Sequence, residues 1–173
     1  FKDTEPEKLF KLNLTYYSGA DVFPNLLRKY IIATSTAVLR RNVFERFGYQ
    51  DETKRLCEDL EYWLRLGYGG ANFCFLPKPL IKLRIRESEV YGGMNRPQVK
   101  VASAQILEEL NSKMKPDERK RYNMRSAISR MKLKAAFTFL VSSNRAEAKK
   151  YILEAFREYP LGSLIGRMAW FPF

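Results

Sequence analysis

Between Tyr91 and Pro97 the character of this chain changes, and the change constrains its fold more than any other feature. Upstream of Tyr91-Gly92-Gly93-Met94-Asn95, apolar β-branched runs alternate with helical patterns; downstream of Arg96-Pro97 every segment reads as helix. The pattern predicts an α/β part over 1–90 and an all-helical region over 91–173. In the first part, Ile31-Ile32-Ala33-Thr34-Ser35-Thr36-Ala37-Val38-Leu39 has no turn residue and the profile of a buried strand. Helices are predicted from Phe23 to Tyr30 with Pro24 in the first turn, from Asn42 to Phe47 stopping at Gly48, and from Cys57 to Leu66. A weaker helical pattern covers Glu7 to Tyr17, and strands are predicted from Asn72 to Leu76 and from Leu80 to Ile85. In the second part, Pro97 opens a helix to about Leu110, and Pro116 opens a long one to Val141. Ser142-Ser143-Asn144 turns the chain into a helix from Ala146 to Glu158.

The 173 residues suffice for one domain with an appendage, and 46% hydrophobic with 29% charged residues is an ordinary globular balance. The longest apolar run, Ala135 to Val141 with Thr138 inside it, falls well short of a membrane span. The first residue is Phe1, not Met, and the start carries no signal-like pattern, so the chain reads as a fragment or a trimmed product. Cys57 and Cys74 form no CxxC pair, which argues against a disulfide scaffold or a zinc site and fits a reducing compartment. Histidine is absent, so imidazole bases, triads and metal sites are excluded and carboxylates are left as proton acceptors. The net charge of +12 is uneven: residues 1–90 carry 15 basic and 12 acidic side chains, residues 91–173 carry 16 and 7. A cationic second half calls for a polyanionic neighbour.

The stretch with most chemistry is Cys57-Glu58-Asp59-Leu60-Glu61-Tyr62-Trp63-Leu64-Arg65. Three carboxylates fall in the first turn and a half of a helix, where backbone amides favour their ionised form. Leu60, Trp63 and Leu64 define a buried side, which leaves Asp59 and Tyr62 on a flank that could face a cleft, and Glu61 pairs with Arg65 at the favourable spacing. Acidic helix starts are also common for purely structural reasons.

The order of motifs adds context. A strand ending in Arg40-Arg41 leads to a short helix, then Gly48-Tyr49-Gln50-Asp51-Glu52, then Glu58-Asp59 opening a helix with Trp63 and Leu64-Arg65. Two further strands close on Leu83-Arg84-Ile85-Arg86-Glu87-Ser88. Over about residues 26–90 this series resembles the second half of a family-2 glycosyltransferase catalytic domain. The resemblance implies an α/β fold, the C-terminal half of a GT-A (nucleotide-diphospho-sugar transferase) domain followed by an all-helical tail. It implies Asp59 as the base that deprotonates the acceptor hydroxyl, with Glu58 orienting Asp59 or contacting the acceptor. Trp63 would either present its face to a sugar ring or pack in the core. Ser35 and Thr36 would lie beside the acceptor cleft or be ordinary strand hydroxyls. Arg84 and Arg86 would meet the donor pyrophosphate or form a solvated strand end.

Three departures accompany the resemblance. Gln50 stands where the family turn has Phe, and Arg86 stands where it has a histidine that helps bind metal. The nucleotide-binding strands and the Asp-x-Asp motif for Mg2+ or Mn2+ have no counterpart, and Asp3 and Asp21 stand alone. The expectation is therefore an inverting transferase fragment, inert alone, that holds the acceptor side and no assignable metal ligand. The donor class is a nucleotide-diphosphate sugar and the acceptor a saccharide or lipid-linked glycan, in cell-envelope polysaccharide synthesis at the cytoplasmic face of the membrane.

Nine cations lie between Lys113 and Lys134, while Met124, Ile128, Met131, Ala135 and Phe139 recur at helical spacing. Leu140, Ala148, Ile152, Ala155 and Phe156 form the facing side of a helical hairpin. The basic face is either solvated or docks an anionic membrane surface, with Trp170-Phe171-Pro172-Phe173 adding interfacial contacts. The rival class is a non-catalytic basic module that binds nucleic acid or a partner protein; no nucleic-acid recognition motif supports it. A helical scaffold is the third class.

Overall fold

The computed structural model describes residues 15–29, 31–82 and 96–159. These are mostly helical, with one small sheet. They divide into two compact units, with breaks between Tyr49 and Gln50 and between Glu61 and Tyr62. The residues from Gln50 to Glu61 belong with the helical tail, and those from Tyr62 belong with the earlier residues.

In the first unit, strand β1 (Thr15–Tyr17) pairs antiparallel with β2 (Phe73–Phe75), with Tyr16 opposite Cys74. Helix α1 (Gly19–Arg28) starts at Ser18, which accepts from the Asp21 amide while the Asp21 carboxylate takes the Ser18 amide. This Ser-x-x-Asp box satisfies two otherwise orphaned donors and starts the helix four residues before Phe23, so Pro24 lies inside it. Val22, Phe23, Leu26 and Leu27 form its buried face. Helix α2 (Arg41–Phe47) ends at Gly48, whose φ of 77° is open to glycine without strain. Helix α3 (Glu58–Tyr68) lies close to α1: a β-carbon on Gly67 would stand 3.3 Å from Leu26, and one on Gly19 only 2.5 Å from the Gly67 carbonyl oxygen.

The run Ile31 to Leu39 departs from its predicted strand. Thr34–Thr36 forms a single 3-10 turn, with the Thr36 amide and hydroxyl both donating to the Ala33 carbonyl at 2.9 and 2.7 Å. Ser and Thr hydroxyls compete with ladder partners for backbone groups, and here the local bond prevails. Ala33 and Ala37, which flank the turn, keep extended backbone without pairing in the sheet. Ile31 is 50% and Val38 99% exposed, so the run is not buried. The predicted strand from Leu80 is not formed at residues 80–82, and its remainder lies outside the described residues, as does residues 7–14 of the weak helix; Thr15–Tyr17 of that pattern is β1.

The second unit contains α4 (Pro97–Lys113), α5 (Pro116–Arg121), α6 (Met124–Val141) and α7 (Arg145–Glu158). The single long helix predicted from Pro116 is two, because Asn123 adopts left-handed backbone at φ 49°, ψ 50° and starts α6 afresh. Asparagine tolerates that region better than most residues. Arg119 fastens α5 to the end of α4 through the carbonyls of Met114 and Ser112. Small buried residues on α6 and α7, among them Ala135, Ala148 and Ala155, allow close approach, and the Ser129 hydroxyl donates to the Ala155 carbonyl at 2.9 Å. Phe139 stacks on Tyr151 with centroids 5.5 Å apart.

Candidate functional site

The Glu58-Asp59 pair occupies the first turn of α3, as expected of carboxylates that complement free amides. Both side chains are half-buried. The Leu60 amide donates to Asp59 Oδ1 at 2.7 Å. The helix is preceded by Cys57 at φ 60°, a left-handed conformation that costs a non-glycine residue about 1 kcal/mol. Its side chain shows what holds it there. Cys57 Sγ donates to the Val99 carbonyl at 3.5 Å and lies 3.4 Å from the Ser103 hydroxyl, both on α4. Burial pushes the Cys57 thiol upward, the Ser103 hydrogen bond opposes it in part, and the Asp59 and Glu58 charges add to the rise. Cys57 is thus a neutral thiol at pH 7 and has no thiolate chemistry to offer.

A second tie joins this stretch to α4. Lys54 Nζ meets the two Glu109 carboxylate oxygens at 3.0 and 2.8 Å. Between the ties, Asp51 Oδ1 accepts from the Thr53 amide and hydroxyl, folding residues 51–53 into an Asx turn. The start of α3 is therefore carried by the helical unit.

The remainder of α3 serves the first unit. Tyr62, Trp63, Leu64 and Leu66 are each no more than 3% exposed. Trp63 packs against Tyr62 with centroids 5.5 Å apart, so core packing, of the two roles open to it, is the one its burial fits, and its face is not offered to a sugar. Its Nε1 finds no hydrogen-bond acceptor among the described residues. Arg65 donates to the carbonyls of Phe47 and, at 2.8 Å, Tyr49, while lying over the Tyr62 ring at 5.0 Å. It thereby satisfies carbonyls left open where α2 ends, a role that the expected Glu61 pairing does not describe.

Ser35 and Thr36 are exposed in the 3-10 turn, with the Thr36 hydroxyl committed to Ala33. They belong to the first unit, whereas Glu58 and Asp59 belong to the second. Arg84 and Arg86 lie outside the described residues. For Mg2+ or Mn2+, the described residues offer no cluster of three carboxylate or cysteine side chains that fits a metal ion. Among the described residues three glutamates converge on a lysine: Lys132 Nζ lies 2.6 Å from Glu108, 3.4 Å from Glu154 and 3.6 Å from Glu158.

Sequence reasoning missed the anchoring role of Cys57 and the fate of Lys132, which it counted among surface cations. Glu154 and Glu158, four apart on a helix facing α6, are the signal that could have found the latter. No helix among the described residues is long and apolar enough to cross a membrane. Compared with known protein families, curated proteins and solved structures, the chain matches none of them.

Proposed function

We propose that this chain carries the acceptor side of an inverting sugar transferase of the family-2 type. The observation that carries the reading is the ordered series from Arg40-Arg41 through Gly48 to the Glu58-Asp59 pair in the first turn of α3. One further feature supports it: Arg65 binds α3 to the turn that follows α2, linking two members of the series.

In this reaction Asp59 accepts the proton of the acceptor hydroxyl as that oxygen bonds to the anomeric carbon. The bond from that carbon to the nucleoside diphosphate breaks, and the configuration inverts. A carboxylate suffices because the hydroxyl becomes acidic only as the new bond forms. Glu58 orients the acceptor, which is a saccharide or a lipid-linked glycan, and the donor is a nucleotide-diphosphate sugar whose binding groups these residues do not supply.

The test is nucleoside diphosphate release from UDP- and GDP-sugars by the longest natural chain that contains these residues, with and without Asp59→Asn. The substitution is expected to lower turnover by about 10²- to 10⁴-fold while leaving donor affinity and helix content unchanged. Undiminished turnover refutes the assignment.

A further inference from the structure

The end of α6 turns apolar side chains outward. Phe137, Leu140 and Val141 are 60%, 48% and 71% exposed, and their spacing of three and four residues places them on one side of the helix. That side is opposite the one that meets α7, since Phe139, which stacks on Tyr151, is turned about 200° from Phe137. Single exposed apolar residues are ordinary, but a surface helix puts polar side chains on its outer stripe. The turn that follows prolongs the exposure: every residue from Leu140 to Ala146 is exposed.

The backbone of this tip is hydrogen-bonded within itself. The Ser142, Ser143 and Asn144 amides donate to the carbonyls of Thr138, Leu140 and Phe139 at 3.1, 3.0 and 2.9 Å, and the Ser142 hydroxyl adds a second bond to Thr138. Asn144 Oδ1 accepts from the Glu147 amide at the start of α7. A tip with these polar groups already paired loses little on leaving water.

The charge around the tip has one sign. From Arg119 to Ala146 the chain carries eight cations and no acidic residue. Arg145, four residues past Val141, is exposed, and so is Lys149 one turn further along α7. Glu147, the first carboxylate after Glu118, lies 3.6 Å from Lys150 Nζ. Apolar side chains beside unopposed cations are complementary to a surface that is anionic outside and apolar beneath, which is what a bilayer with acidic lipids presents.

We infer that the turn between α6 and α7 is a membrane-docking tip. Phe137, Leu140 and Val141 enter the head-group region of an anionic lipid bilayer, while Arg145 and Lys149 meet its phosphates. The inference uses none of the residues of the sugar-transfer reading, and its readout is vesicle binding and not turnover, so either can fail without the other.

The test is co-sedimentation of the chain with vesicles of phosphatidylcholine, alone or mixed with phosphatidylglycerol. Binding to the mixed vesicles is expected, weaker at high salt and much weaker without phosphatidylglycerol. Phe137→Gln combined with Val141→Gln should weaken it at least about tenfold, as befits two apolar side chains that no longer gain from burial. Arg145→Gln should weaken it about fivefold, the share of one surface cation. Val38→Gln removes an apolar side chain that is 99% exposed in the first unit and should leave binding unchanged. Phe137→Trp keeps the aromatic ring and should bind at least as tightly as wild type, with helix content at 222 nm intact. The inference is overturned if mixed vesicles are not bound, if the double variant binds like wild type, if Val38→Gln weakens binding as much, or if Phe137→Trp weakens it. Self-association without lipid that the double variant abolishes, read by sedimentation velocity, would overturn it too by assigning this face to a second copy of the chain.

Discussion

Replacing Lys132 by methionine should destabilise the helical unit more than any other single change of charge. The Lys132 side chain is 8% exposed and its ammonium group is ringed by Glu108, Glu154 and Glu158 from two helices. Methionine keeps most of the volume and removes the charge, leaving three glutamates facing one another. Breaking a buried ion pair from one side costs about 3–5 kcal/mol. The glutamates are 31–40% exposed, so water and salt screen part of their repulsion and the expected loss is about 2–3 kcal/mol. For a unit of this size that corresponds to a fall in melting temperature of about 10–20 °C, read by circular dichroism at 222 nm. Burial disfavours the Lys132 charge, but the Glu108 hydrogen bond and the charges of Glu108, Glu158 and Glu154 outweigh it, so the group titrates above its ordinary 10.5. A folded-state value raised in this way gives a stabilisation that is complete below the unfolded value and is lost as pH rises through the folded one. The gap between wild type and variant should therefore be constant from about pH 7 to 9 and shrink only in stronger alkali. Adding Glu108→Gln to Lys132→Met should recover at least half of the loss, since it removes the carboxylate closest to the lysine. A single variant within about 0.5 kcal/mol of wild type, or no recovery in the double variant, refutes the electrostatic account.

Two further substitutions probe the first unit. Gly19→Ala places a methyl group 2.5 Å from the Gly67 carbonyl oxygen and 3.0 Å from that of Ala71, both backbone, so α1 and α3 must separate. The expected cost is about 3 kcal/mol by chemical denaturation, and a neutral result would show that the two helices do not approach as described. Arg65→Met removes both donors to the Phe47 and Tyr49 carbonyls. Amide exchange should accelerate at Gly48, whose amide bonds the Phe44 carbonyl, with α1 unaffected; unchanged protection there would dismiss Arg65 as the fastener of that turn.

Local signals were legible and long-range ones were not. The stop of α2 at Gly48, the opening of α4 at Pro97 and the turn before α7 each follow from one or two residues with restricted or permissive backbone. Ile31 to Leu39 defeated the same approach because its composition describes a strand already surrounded by partners. No described strand pairs with it, and Thr36 closes a turn on the Ala33 carbonyl. The start of α1 was misplaced for a related reason. Pro24 is a conspicuous marker, yet the Ser18–Asp21 box satisfies more backbone donors and so decides where the helix begins.

The candidate site divides along the same line. That Glu58 and Asp59 open a helix is written locally in their charge and in the apolar spacing of Leu60, Trp63 and Leu64. Which body carries the pair is decided by Cys57 against Ser103 and Lys54 against Glu109, contacts 46 and 55 residues apart that no periodicity encodes. Charge counting fails most plainly on α6. Lys132 and Lys134 add equally to the basic tally, but two residues on a helix turn the side chain by about 200°. The Lys132 ammonium group therefore faces the glutamates of α4 and α7, while burial pulls Lys134 below the ordinary lysine range. A basic stretch is thus more than one population of charge, some spent on holding helices together and some left to the solvent. What surrounds each ammonium group decides between them, and for that reason Lys132 and Lys134 shift in opposite directions.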